Sequence, residues 1–393
     1  MSGRPEGRAD QDPGRTPVAA TGPAAPRLAQ PNPPTGPDAG PATRLSAPAG
    51  RAAHLPPMPG QDAAAERRAG FLAAAGWGQA AGSPLTGDAS HRRYERLIRP
   101  DGARAILMIL PPGAGAEITG FTRIARHLAA RGLSAPRSLA EDAAAGLLLL
   151  EDLGDDLFAR LLAADPGREA ELYAAAVDLL PLMEAPPAPP GLPVLDAATL
   201  GSMTAPVLDW YAAGHPGEGA GRGQDRLAGA IAEAADRLLT APRAFAHRDY
   251  HAENLLWLPE RAGPARVGLL DFQDAVLADP AYDLASLLRD ARRDVSEAAR
   301  AAMMRRAAGV LGREEAALAA AAALLSVQRN LRILGIFARL AVRDGKAGYL
   351  ALIPRVWGHL AADLAHPALA GLRPVLDLPP PEARLPALRE LAR

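Results

Sequence analysis

Two short stretches hold the side chains best suited to acting together: His247-Arg248-Asp249-Tyr250-His251-Ala252-Glu253-Asn254 and Asp271-Phe272-Gln273-Asp274. An Asp, an Asn five residues on, and a second Asp 17 residues after that Asn are what metal-assisted phosphoryl transfer needs. One carboxylate takes the acceptor's proton, while an amide oxygen and a second carboxylate hold Mg²⁺ on nucleotide phosphates. Asp249 is the expected base, and Asn254 and Asp271 are the expected magnesium ligands. Asp271 also ends an apolar run, where a charge is costly unless paired or bound to metal. Asp274 reads as a turn or cap residue.

The neighbours of these groups have plainer readings. His247 and His251 flank Asp249, and His-x-Asp-x-His invites zinc. Zinc needs three or four converging ligands, and no second His or Cys cluster lies nearby. His247 instead reads as shaping the loop through a backbone hydrogen bond. Asp283, in Tyr282-Asp283-Leu284-Ala285, opens a helix. It either caps that helix or reaches the backbone amides of the 247–254 loop, and both roles are structural.

Local pattern predicts the elements that place these groups. Leu255 to Leu258 and Val267 to Leu270 are apolar runs separated by a Pro- and Gly-containing linker, a small hairpin with the chemical groups at its ends. Before it, Ala63 to Ala75 reads as a helix stopped by Gly76, with Trp77 pinning it to the first lobe. Leu85 to Ile98 alternates weakly, Arg99-Pro100-Asp101-Gly102 is a turn, and Ala103 to Leu110 is a strand, together a β-hairpin. Thr119 to Arg131 has a helical apolar face, and Arg137 to Ala140 and Gly146 to Leu150 are short strands. Helices are expected at 156–164, 168–183, 200–213, 225–240, 281–292, 296–311, 314–342 and 348–365. The fold class is therefore α+β. Residues 1–62 form a Pro/Ala/Gly-rich tail too poor in apolar pattern to order itself. Residues 63–150 form a β-rich lobe and 151–393 a helical lobe, with a ligand cleft between them.

Two further segments should meet a nucleotide. Gly87-Asp88-Ala89-Ser90-His91-Arg92-Arg93-Tyr94 is the candidate phosphate-covering loop, with Ser90 and backbone amides on phosphate oxygens and Arg92 and Arg93 supplying positive charge. It carries one glycine and no Walker-type signature, so it is a weak motif alone. The segment Leu149 to Gly154 should offer backbone groups of Glu151 and Leu153 to a base edge, with the Glu151 and Asp152 side chains facing solvent.

Composition narrows the classes. The chain has 393 residues, a net charge of −1 and no cysteine. Near-neutral charge argues against nucleic acid as a partner. Without cysteine there are no disulfides or thiolate metal sites. No run of 18 or more apolar residues and no apolar signal core are apparent, so no membrane span is expected and the cytoplasm follows by default. Arginine replaces lysine almost throughout; Lys346 is the only lysine.

The pairing of HRDYHAENLL with LLDFQDAVLADPAYDLASLLRDA resembles the aminoglycoside phosphotransferase and choline kinase-like superfamily, which shares the protein-kinase-like bilobal fold. Four stretches look like its bacterial N-acetylmuramate/N-acetylglucosamine anomeric kinases of cell-wall recycling: SHRRYERL, LLLLEDLGDDLF, DFQDAVLADPAYDLASLLRDARRDV and QRNLRILGIFARLAVRDGKAGYL. The resemblance covers about residues 70 to 365. It implies ATP and Mg²⁺ as cofactors, a small-molecule sugar acceptor, and a sugar 1-phosphate product in peptidoglycan recycling. Carried over by position, Asp249 matches the base and Asn254 and Asp271 the metal ligands. Relatives usually place a lysine on the third small-lobe strand; Met108 stands near that position here, and Arg92 or Arg93 is expected to take over its charge. An acceptor with a lactyl carboxylate calls for arginine, with Arg289, Arg329 and Arg332 as candidates.

Alternatives from other classes stay open. Another acceptor within the superfamily is one, although 328–350 holds four arginines and a lysine against a single Asp, unlike a pocket for a polycation. A nucleotide-binding pseudokinase is another, favoured by the missing lysine and disfavoured by the intact Asp249, Asn254 and Asp271. No A-P-E-terminated activation segment follows Asp271, which disfavours a protein kinase. Oligomeric state is left undetermined.

Overall fold

Period-two alternation in three strands decides how the first part of the chain is built. The computed structural model describes residues 61–85, 92–111, 113–214 and 222–393. The tail expectation therefore lies outside the described residues except at its last two positions, which open helix α1 (Gln61–Ala74). Strands β1 (Ala81–Leu85), β2 (Arg93–Ile98), β3 (Arg104–Ile109), β4 (Ser138–Asp142) and β5 (Leu147–Glu151) form one antiparallel sheet in the order β1-β2-β3-β5-β4. Leu97, Ala105, Leu107 and Leu149 point to one face and are buried with Leu72 and Trp77 beneath α1. Met108, Leu148 and Leu150 point to the other face, onto Ile118, Phe121 and Ile124 of α2 (Gly115–Ala130). Successive residues on a strand alternate faces, so a single apolar run serves both layers. The hairpin over Arg99 to Gly102 closes as expected, with Gly102 in the left-handed region at φ +85°.

Beyond the sheet the chain is mostly helical. Helices α3 (Phe158–Ala164), α4 (Glu169–Val177), α5 (Leu180–Glu184), α6 (Ala197–Ser202) and α7 (Arg222–Leu238) precede four short strands. A π-helical segment, Val207–Ala213, follows α6. Strand β6 (Ala244–Ala246) pairs with β9 (Val276–Ala278), and β7 (Leu255–Trp257) pairs with β8 (Val267–Leu269), both antiparallel. Helices α8 (Ala281–Leu288), α9 (Glu297–Leu311), α10 (Glu315–Val342), α11 (Ile353–Leu364) and α12 (Pro381–Leu391) complete the fold. The helix expected over 281–292 ends early, at Leu288, and the one over 168–183 breaks into α4 and α5.

Helix α10 is long and apolar enough to cross a membrane by length and composition, which the sequence reading did not anticipate. Yet 78% of its most apolar window is buried inside the protein, where it packs on α8, α11 and the π-helical segment. Its apolar character is that of a core helix, and burial of this kind drives folding.

Among the described glycines, Gly335 of α10 leaves the least room for a side chain. A Cβ there would lie 2.1 Å from the Pro206 carbonyl carbon and 2.5 Å from the Val207 nitrogen. Only glycine lets these two backbones meet, and the contact sets the wall beside the site described next.

Candidate active site

Strand pairing forces the two chemical stretches together. Ala246, the last residue of β6, lies opposite Val276, the first of β9. Leu255, the first of β7, lies opposite Leu269, the last of β8. The 247–254 loop and the 270–275 turn therefore bridge the same two ladders side by side. The Leu270 N–H donates to the Asn254 carbonyl at 2.9 Å, fixing Asp271 next to the loop.

The loop is held at each peptide that matters. The Asp283 carboxylate accepts from the backbone N–H groups of His247 at 2.6 Å and Arg248 at 2.9 Å. The loop-holding alternative for Asp283 is the one realised; the residue at the helix cap position is Pro280. Arg329 of α10 donates to the Arg248 carbonyl and to Ser286 Oγ, each at 2.7 Å, and lies 4.9 Å from the Tyr282 ring centroid. The Arg248 peptide unit is thus gripped on both sides. That grip is needed, because Arg248 and Asp271 carry φ +79° and +59°, the two non-glycine residues with positive φ among the described residues. Such conformations cost about 1–3 kcal/mol each and persist only where neighbours over-determine them. Tyr250 anchors the loop from below, its hydroxyl donating to the Ala176 carbonyl at 2.8 Å.

Asp249 is half-buried. Burial alone would raise its pKa, but Arg329, His251 and Arg248 outweigh that and hold the carboxyl below its usual range. It is ionised at neutral pH. Asn254 donates its amide N–H to the Asp249 carbonyl at 2.9 Å, which turns its oxygen the other way. Asp271 Oδ1 accepts from Gln273 Nε2 at 2.7 Å. The donor set that results, an amide oxygen and an exposed carboxylate, is made of hard oxygens and suits Mg²⁺. Among the described residues no group of three or more His, Cys, Asp and Glu side chains is placed to hold a metal ion. His247 is fully buried, its ring nitrogens find no protein partner, and its edge packs on Tyr250. Its backbone N–H, not its ring, makes the bond to Asp283.

The sheet sends one arginine toward this site. Ser90 lies outside the described residues. Arg92 sits at the threshold of β2 and pairs with Glu117 of α2 at 3.2 Å. Two residues on, Tyr94 shares that face, opposite Met108. Burial pushes the Tyr94 phenol up; Arg92 opposes this, and Asp271 adds to the rise, so all three groups are neighbours. Phe272, next to Asp271, stacks on Phe121 of α2 with centroids 4.7 Å apart. One turn of α2 therefore connects Glu117, and through it Arg92, to the Asp271 turn. Met108 is buried in the core and carries no charge. Arg93 has the opposite parity, on the face where Glu95 pairs with Arg68 of α1, and is exposed. Strand alternation removes it from the phosphate role.

The remaining expected residues divide. The Glu151 carboxylate is held by Arg261 at 2.7 Å and Arg137 at 3.1 Å, and its backbone N–H donates to the Arg137 carbonyl. It does not face solvent, and its donor is already used. Asp152 is likewise inward, its side chain 2% exposed between Arg96 and Arg104. Leu153 keeps a backbone N–H and C=O with no protein partner among the described residues. Arg289 caps the end of α8 and is bound to Asp363 of α11, its Nε 3.0 Å from both carboxylate oxygens. That pair lies in the wall of a second cavity, of about 260 Å³, with Ser326 and His366, and not in the one lined by Arg248. Arg329 is committed to the loop backbone. Arg332, one turn further along α10, lines a cavity of about 430 Å³ beside the loop. Arg248 lines the same cavity and was not singled out from sequence. It lay inside the motif, and its position next to the base was the available signal.

A model of the phosphotransferase enzyme family matches residues 81–324. An N-acetylmuramate/N-acetylglucosamine kinase of Caulobacter vibrioides is 42% identical, over 79% of this chain and 95% of its own. A protein of the same name from Pseudomonas aeruginosa is 34% identical, over 78% of this chain and 91% of its own. Among solved structures, a choline/ethanolamine kinase family protein from Mesorhizobium loti superposes with a TM-score of 0.55 at 18% identity, covering 83% of this chain and 99% of that one. The last shows the fold alone, α+β and protein-kinase-like. On the family match and the identities with the two kinases, the chain belongs to the phosphotransferase enzyme family.

Proposed function

We propose that this protein transfers the γ-phosphoryl group of ATP to the anomeric hydroxyl of N-acetylmuramate or N-acetylglucosamine, giving a sugar 1-phosphate, as a step in reusing cell-wall sugars in the cytoplasm. The reading rests on the convergence of the 247–254 loop and the 270–275 turn, joined by the Leu270 to Asn254 bond. It rests equally on kinship with kinases named for these two sugars.

Asp249 is the catalytic residue that accepts the acceptor's proton as the new P–O bond forms and the bond to the leaving ADP breaks. Its lowered pKa keeps it ionised, and its main contribution is to orient the hydroxyl. Asn254 and Asp271 would hold Mg²⁺, which when bound neutralises charge on the phosphate oxygens. Arg92, steadied by Glu117, takes the place of the strand lysine at the phosphates. Leu153 offers the backbone donor and acceptor that an adenine edge needs. The nucleotide would lie between a lobe of residues 63–150 and one of 151–393. The pseudokinase alternative loses its main support once Arg92 supplies the missing cation.

The test is a sugar panel with ATP and Mg²⁺, the product read by phosphorus NMR. A phosphate coupled to the anomeric proton is expected. A 6-phosphate, or ATP turnover independent of any sugar, would overturn the assignment.

A further inference from the structure

Two guanidinium groups beside Asp249 face a cavity whose lining holds no carboxylate. Arg248 and Arg332 line the cavity of about 430 Å³, whose walls are otherwise mainly apolar, with Pro206, Met203 and Val276 among them. Neither arginine side chain has a hydrogen-bond or ion-pair partner among the described residues, and Arg248 Nε is buried without one. Arg329, one turn before Arg332 on the same helix, shows what the fold does with an arginine it needs for itself: two hydrogen bonds and an aromatic face. Burial, together with the charges of Arg248 and Arg329, pulls the Arg332 pKa below the usual arginine value, and Tyr282 and Asp249 only partly offset this. Partly desolvated like charges facing one cavity are unfavourable until an anion enters. Asp249 offsets part of this charge, but Arg329 and His251 share the same carboxylate, so one anion faces several cationic groups.

We propose that Arg248 and Arg332 form an anion subsite for a carboxylate carried on the acceptor sugar, so that the cavity selects acidic N-acetyl amino sugars over neutral ones. This deepens the proposed function and rests on it. The subsite sits beside the base, so an acceptor anchored there by its carboxylate presents its ring to Asp249. The apolar walls suit an acetyl methyl and the carbon face of the ring. The pair also repels polycationic acceptors.

The two sugars named for the relatives differ by a lactyl ether that carries the carboxylate, which makes them a matched pair. Kinetics of the full chain on N-acetylmuramate, its methyl ester and N-acetylglucosamine measure the subsite. The wild type should lose about tenfold or more in kcat/KM on the ester, chiefly through KM, as expected for one charged hydrogen-bonded contact. In Arg332→Met the ratio of kcat/KM for N-acetylmuramate over N-acetylglucosamine should fall by about the same factor, and Arg332→Lys should restore part of it. The ester requires no variant and so is immune to misfolding. Equal rates on acid and ester, or equal losses on both sugars in Arg332→Met, would remove the subsite and leave the kinase reading standing. Turnover of neither sugar by the wild type would remove both.

Discussion

The 247–254 loop and the cavity beside it share a residue, Arg248, yet they are built on opposite terms. In the loop the backbone is held at several points: Asp283 accepts from two backbone N–H groups, Arg329 donates to the Arg248 carbonyl, and Asn254 donates back to the Asp249 carbonyl. In the cavity Arg248 Nε is buried without a partner, and Arg332 lines the same space. Helix α10 carries both patterns within two turns, with Arg329 gripping the loop, Arg332 facing the cavity and Gly335 admitting the Pro206 wall. Positions three apart on a helix share a face, so one stripe touches both the loop and the cavity.

Breaking the completed side should have the largest effect. Asp283→Ala leaves two buried N–H groups without an acceptor and releases a left-handed residue. A loss of about 3–5 kcal/mol of stability is expected, read by urea denaturation, with sugar turnover falling further than the unfolded fraction explains. Stability within about 0.5 kcal/mol of wild type would show that the loop holds its shape unaided.

The wall between the two regions comes next. Gly335→Ala drives a methyl into the Pro206 backbone and should cost about 3 kcal/mol. Because Pro206 lines the cavity, surviving protein should also show a raised sugar KM with little change in ATP KM. A change confined to ATP would place the cavity outside the acceptor site.

Arg92→Met probes the sheet's contribution. A fall in kcat/KM for ATP of about ten- to a hundredfold is expected, the size of a lost charge-assisted hydrogen bond. Arg93→Met serves as the comparison, since strand parity puts that side chain on the other face. Equal losses from both would contradict the parity argument.

A further probe is the pH dependence of a group next to the clamp. Burial raises the Glu184 pKa to about 9, the Asp283 and Asp279 carboxylates add to the rise, and Arg313 opposes it. A folded pKa above the unfolded one means that the protonated group favours the fold. That contribution is complete below the ordinary carboxylate range and is lost as pH climbs through about 9. Glu184→Gln, which stays neutral, should gain thermal stability over wild type progressively from pH 5 to pH 9. A difference that stays flat across that window would place Glu184 in solvent.

The same contrast explains what could be read before the structure. Asp249, Asn254, Asp271 and the hairpin between them lie in one contiguous stretch, where spacing and apolar runs carry the geometry. The sheet and its α2 layer were legible because strand alternation and helical periodicity are local. The cavity joins residues around 193–206 to Arg248, Val276 and Arg332, and no local pattern links such distant positions. The Arg289 pairing with Asp363 of α11 was not legible, because it joins positions 74 residues apart. Arg329 was taken for a ligand contact because a sequence cannot show that its guanidinium is already bonded to a backbone carbonyl.

The central claim is that Asp249 performs its role on a nucleotide site it does not itself build. Calorimetric titration of MgATP into the wild type and Asp249→Asn, alongside sugar-dependent ADP release, tests it most directly. The variant should bind MgATP within about threefold of wild type while turnover falls by about 10²–10⁴-fold, the range for a lost acid–base group. Turnover near the wild-type rate in Asp249→Asn would contradict the account.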